Sequence, residues 1–142
     1  METSVKIDHK GKMAFEGEVN GHTITIDADP KVGGENKGPK PKPFMLLSLA
    51  GCTGMDVISI LRKMRAEPDH FNVEVQADQT KEHPVYYNKM HVIYSFEGND
   101  LPEDKLKKAV SLSEERYCGV SAVYKQVIEI TSEIRVNGKK ID

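Results

Sequence analysis

Apolar and polar residues alternate through the opening third of the chain: Val5 and Ile7 stand two apart, then Met13 and Phe15, then Ile24 and Ile26. A period of two puts one side of each run against a core and the other in water, the pattern of a half-buried strand. Asn20-Gly21 separates the later runs, and both residue types accept the positive φ that a tight hairpin needs. The pattern predicts three short antiparallel strands, at about 3–9, 12–19 and 22–28. Asp29 to Pro43 reads DPKVGGENKGPKPKP. Proline removes backbone donors there and glycine removes stiffness, so regular structure is excluded and a surface loop is expected. Loops of this length often carry function.

After Pro43 the pattern changes to FMLLSLAGCTGMDVISILRKMR, apolar nearly all round at first and amphipathic later. Pro43 suits a first helical turn, and the run predicts a long central helix at about 43–66, closed before Pro68. Phe71, Val73 and Val75 alternate, as do Met90, Val92, Tyr94 and Phe96, giving two further strands joined through His83-Pro84. Pro102-Glu103-Asp104 begins a helix with acids in its first turn, and Leu106, Ala109, Val110 and Leu112 form its apolar stripe as it runs to Tyr117-Cys118-Gly119. A short helical turn, Val120 to Lys125, and a last strand containing Val127 to Thr131 and Ile134 to Val136 complete the order. Strands and helices in blocks indicate α+β rather than a wound parallel sheet.

A length of 142 residues allows one ordinary domain, 1–142. Charged residues make up 30% of the chain, hydrophobic residues 38%, and the net charge is -2, the balance of a globular protein with no reason to bind nucleic acid. Ser48, Gly51, Thr53, Gly54, Asp56 and Ser59 interrupt the stretch Phe44 to Leu61, so it reads as a core helix and not a membrane span. Its apolar faces are nevertheless too many for one chain of this size to cover, which predicts an obligate dimer. With two cysteines and no secretory leader, the expected location is cytoplasmic and the expected thiols are reduced. His9, His22, His70, His83 and His91 are scattered singly, a spacing that predicts no metal site; no cofactor is expected either.

Each cysteine has two readings. Cys52 lies in Ala-Gly-Cys-Thr-Gly-Met, where two mid-helix glycines cost about 1 kcal/mol each relative to alanine. They serve either close helix packing around a small buried thiol or access to a reactive sulfur. Cys118, in Glu-Arg-Tyr-Cys-Gly-Val-Ser, is either a packed thiol at a helix end or one placed at the positive end of a following helical turn, with Arg116 nearby in sequence.

The segment from Gly33 to Val57, GGENKGPKPKPFMLLSLAGCTGMDV, is similar to the loop and helix of OsmC-like proteins, which read GPxPxELLLAALGGCT. Ser113 to Ser121, SEERYCGVS, resembles the second cysteine motif of that family, YCxVS. The resemblance covers nearly the whole chain and lies nearer the OsmC-like branch than the organic hydroperoxide resistance branch. It implies two intertwined chains in an OsmC-like α+β fold, with antiparallel sheets around the long central helices and thiol sites at the subunit interface. It also implies thiol-dependent reduction of organic hydroperoxides in oxidative stress defence. The catalytic residues are then Cys52, which attacks, and Cys118, which resolves, and an external dithiol closes the cycle. The alternative is a non-enzymatic protein that keeps a pocket lined by Met45, Leu49 and Met55 for an apolar or thiol-reactive small molecule. Purely structural use of both cysteines is a third possibility.

The chain departs from that pattern in one respect. Active relatives stabilise the thiolate with an arginine from the N-terminal half, held by a glutamate. Here the first arginine is Arg62, the glutamate position aligns with Pro43, and Glu35 on the preceding loop does not match it. Lys40 and Lys42 offer charge without the planar fork of arginine, and lysines in such a loop are ordinarily solvated.

Overall fold

The computed structural model describes residues 2–142, which form two compact units, the first running to Met45 and the second Leu46–Asp142. In the first, β1 (Ile7–His9), β2 (Phe15–Val19) and β3 (His22–Ile26) make an antiparallel meander, with Asn20 and Gly21 at φ of 51° and 81° in the turn. β1 and β2 begin later than predicted and β3 ends earlier, and the following loop contains one 3₁₀ turn, Pro30–Val32, capped by the Asp29 side chain. Asp27 organises this loop. Its carboxylate is buried and accepts the backbone N–H groups of Ala28, Glu35 and Lys37 at 2.7, 3.1 and 3.1 Å. Those bonds hold its pKa below the usual carboxylate value. Gly34 and Gly38 are required by close approach, since a Cβ would stand 1.9 Å from the Ala28 carbonyl oxygen and 2.3 Å from that of Thr25.

Most of α1 (Phe44–Lys63) belongs to the second unit. It ends earlier than predicted because Arg65 takes a left-handed φ of 56°, so that Arg65 N–H bonds the Arg62 carbonyl and Ala66 N–H the Leu61 carbonyl. That reciprocal pair closes the helix ahead of Pro68. Every fourth residue from Leu49 through Thr53 and Val57 to Leu61 is buried, one ridge in all. Although α1 is long and apolar enough to cross a membrane, this ridge gives it the role of a core helix. Its other faces stay open: Leu47 and Met55 are 64% and 74% exposed. Nothing within 4 Å would meet a Cβ built on Gly51.

The second sheet runs in the order β4 (His70–Gln79), β5 (Tyr87–Glu97), β6 (Glu129–Val136), β7 (Lys139–Ile141). Met90, Val92, Tyr94 and Phe96 of β5 are buried, and the Phe96 ring stacks on Phe71 at 4.7 Å. The expectation of antiparallel sheets is corrected here, because β5 and β6 pair in parallel. Parallel neighbours need a crossover connection, which α2 (Glu103–Leu112), a π turn (Ser113–Tyr117) and α3 (Gly119–Tyr124) supply. β7 was not expected. It follows a second Asn-Gly turn, Asn137 and Gly138, and its three residues are too short and too polar to show a period.

Candidate functional site

Cys52 and Asp56 lie one helical repeat apart on α1, and such positions share a face. The second thiol is delivered by the π turn. Cys118 N–H bonds the Ser113 carbonyl five residues back at 2.8 Å, the extra residue of a widened turn. Cys118 then leaves the helix in an extended conformation and caps α3, its sulfur accepting the Ser121 N–H at 3.3 Å. Both cysteines are free thiols, and the Cys52 sulfur, the Cys118 sulfur and an Asp56 carboxylate oxygen all lie within 4.8 Å of one another. Cys52 is half-buried, whereas Cys118 is 3% exposed.

A chain of hydroxyls backs this cluster. Ser113 Oγ donates to Asp56 Oδ2 at 2.9 Å, and its one proton being so used, it accepts from Thr53 Oγ1 at 2.8 Å. Thr53 in turn accepts from Tyr94 Oη at 2.8 Å. Three buried side chains from α1, β5 and the π turn therefore aim their protons one way, toward the carboxylate beside the two thiols.

Burial pushes the Cys118 thiol from its ordinary value near 9 up to about 11, helped by its hydrogen bond to Cys52 and opposed by the Ser121 and Val120 N–H groups. Burial, then the charge of Glu114, raises Tyr94 as well. Glu114 is itself raised by burial, while Ser132 Oγ donates to both its oxygens at 2.9 and 3.1 Å. The Cys118 shift carries a sign for stability. With the folded pKa above the unfolded one, the unfolded chain loses its proton first, so this contribution is intact below about pH 9 and is lost as pH rises toward 11. Denaturation midpoints of wild type should fall across that window more steeply than those of Cys118→Ala. Parallel curves would remove the assigned shift.

Three of the four arginines have side-chain partners away from the thiols, and the fourth lies beyond the far end of α1. Arg62 hydrogen-bonds Glu67, Arg135 bonds Glu133 at 2.9 Å, and Arg116 lies over the Tyr117 ring at 5.8 Å. Arg65 closes α1 about 19 Å along the axis from Cys52, at 1.5 Å per residue. Lys40 pairs with Asp29 at 3.6 Å and is 60% exposed, as a solvated loop lysine is. Along α1, Leu49 sits on the buried ridge and Met55 stands out in the open. A groove of about 500 Å³ adjoins Asp56, lined by Ile60, Lys63, Met64, Leu112 and Tyr117 among others.

Of these residues, sequence reasoning picked out Cys52 and Cys118 and missed Thr53, Asp56, Tyr94 and Ser113. The four-residue step from Cys52 to Asp56 was a usable signal; nothing local marked Tyr94 or Ser113.

The OsmC-like protein family model matches residues 34–133. Protein YhfA of Escherichia coli strain K12 is 30% identical over 125 residues, covering 87% of this chain and 90% of its own. The crystal structure of a hypothetical protein from Aquifex aeolicus superposes with a TM-score of 0.84 at 29% identity, over 96% of this chain and 98% of that one. The organic hydroperoxide resistance protein OhrB of Bacillus subtilis shares the fold at a TM-score of 0.66 and 16% identity, over 94% and 98%.

Proposed function

The chain belongs to the OsmC-like protein family, and from that premise we propose that it is a thiol-dependent hydroperoxide reductase in which Cys52 is oxidised and Cys118 resolves. The carrying observation is the asymmetric pair: two free sulfurs within 4.8 Å, one reachable and one buried. The Cys52 thiolate attacks the distal oxygen of ROOH, the O–O bond breaks, and the leaving alkoxide takes a proton to become the alcohol. Cys52 is left as a sulfenic acid. Cys118, held as a thiol beside it, attacks that sulfur; its proton passes by way of Asp56 to the departing hydroxide, and water leaves as the disulfide forms. An external dithiol restores both thiols. The groove lined by Ile60, Leu112 and Tyr117 suits the apolar part of an organic hydroperoxide, and thiol cycling of this kind belongs in the reducing cytoplasm.

Mass spectrometry after one equivalent of cumene hydroperoxide should find an intramolecular Cys52–Cys118 bridge, and Cys118→Ser should accumulate sulfenic acid on Cys52. Two intact thiols would reject the peroxidase and leave the alternative, a non-enzymatic binder of an apolar or thiol-reactive small molecule.

The proposal includes a homodimer, because the open faces of α1, with Leu47, Gly51 and Met55, need covering. Sedimentation should give a dimer down to micromolar concentration; a folded monomer there would sink it.

A further inference from the structure

We propose that Cys52, Asp56 and Cys118 form a three-donor site for a thiophilic divalent cation of the zinc class, with the fourth position left to water. The spacing of donors along the chain gives no hint of this, but folding gathers two sulfurs and a carboxylate oxygen to within 4.8 Å of one another. Around tetrahedral zinc, with Zn–S about 2.3 Å and Zn–O about 2.1 Å, donors stand about 3.5–3.8 Å apart. The cluster therefore needs to contract by about 1.3 Å at most, within reach of side-chain rotation on α1. Two thiolates and one oxygen form a soft set that selects zinc, cobalt or cadmium over magnesium or calcium.

The surroundings are those of a prepared ligand set. Ser113 holds Asp56 by Oδ2, which leaves Oδ1 for the ion, and Thr53 and Tyr94 hold Ser113 in turn. Such outer hydrogen bonds orient a metal-binding carboxylate before the metal arrives. Cys118 is anchored from behind by the Ser121 N–H, a bond that a thiolate sulfur keeps when it binds a cation. Two donors on one helix and the third at the mouth of α3 leave one side open through half-buried Cys52, where a water completes the tetrahedron.

The site stands apart from the peroxide reading, since it needs only the reduced thiols, whose protons pass to solvent as the ion takes their place. Where both hold, the ion and the hydroperoxide compete for the same sulfurs, and the bound cation shields Cys52 from oxidation.

The test uses the reduced full-length chain without any peroxide, so its result is independent of peroxidase activity. Titration with Co²⁺ under argon should saturate at one ion per chain, with thiolate-to-cobalt charge-transfer bands and the intense visible bands of tetrahedral cobalt, and Zn²⁺ should bleach both. Competition with a chromophoric chelator should place the zinc Kd at or below about 1 µM. Asp56→Asn, which keeps size and hydrogen bonding, should weaken zinc at least about tenfold, and Cys52→Ser or Cys118→Ser should abolish the charge-transfer bands. Saturating zinc should slow iodoacetamide alkylation of Cys52 at least about tenfold, a readout that needs no variant. Absence of saturable cobalt binding, wild-type zinc affinity in Asp56→Asn, or alkylation indifferent to zinc would each overturn the proposal.

Discussion

Replacing Cys52 with serine is expected to lower hydroperoxide turnover by at least about three orders of magnitude, because a serine hydroxyl is a far weaker nucleophile than a thiolate and has no sulfenic acid to form, so no covalent route remains. Cys118→Ser should behave differently. Its first oxidation should proceed at a rate close to that of wild type, while steady-state turnover through the dithiol falls, since no partner remains to form the disulfide that the reductant attacks. The wild-type rate itself should be modest. An arginine that lowers a thiol pKa by two units contributes about 2.7 kcal/mol of stabilisation to the thiolate, and here Arg62 and Arg135 pair with glutamates, Arg116 lies over Tyr117, and Arg65 stands beyond the far end of α1. A less acidic thiol is intrinsically more nucleophilic, which recovers part of the loss. The second-order rate of sulfenic acid formation should therefore lie about one to two orders of magnitude below that of arginine-bearing relatives. Stopped-flow measurement with both variants checks this. Appreciable turnover in Cys52→Ser would reject Cys52 as the attacking residue, and a wild-type rate equal to those relatives would show that another cation does the work.

Thr53→Val should be the most damaging substitution of similar size near the site. Thr53 is 1% exposed and joins Tyr94 Oη to Ser113 Oγ. Valine fills the space but leaves the buried Tyr94 hydroxyl without its partner, at a cost of about 2–3 kcal/mol and on the order of 8 °C in Tm. Adding Tyr94→Phe removes the orphaned group, so the double variant should recover part of the loss, and a double-mutant cycle measures the coupling. A Tm within about 1 °C of wild type for Thr53→Val would mean that the hydroxyl chain contributes little.

Much of the fold was legible in the sequence because local rules and the final structure agree. Strands β1 to β5 follow the two-residue alternation, α1 follows its apolar run, and Asn20-Gly21 makes the first hairpin. Ends were less legible. The close of α1 depends on Arg65 adopting a left-handed φ that its side chain does not advertise. The parallel pairing of β5 with β6 was hidden because alternation says which face of a strand is buried and nothing about its neighbour's direction.

The site divides along the same line. The motifs around Cys52 and Cys118 singled out two thiols, since each lies in a short, recognisable run. That Asp56 joins them, that Ser113, Thr53 and Tyr94 stand in a directed chain behind it, and that Cys118 is the buried member are matters of tertiary placement. Residues far apart in the chain meet there only because the crossover lays the π turn against α1. Hydrogen bonds, desolvation and metal-donor geometry act over a few ångströms of space and take no account of distance along the chain.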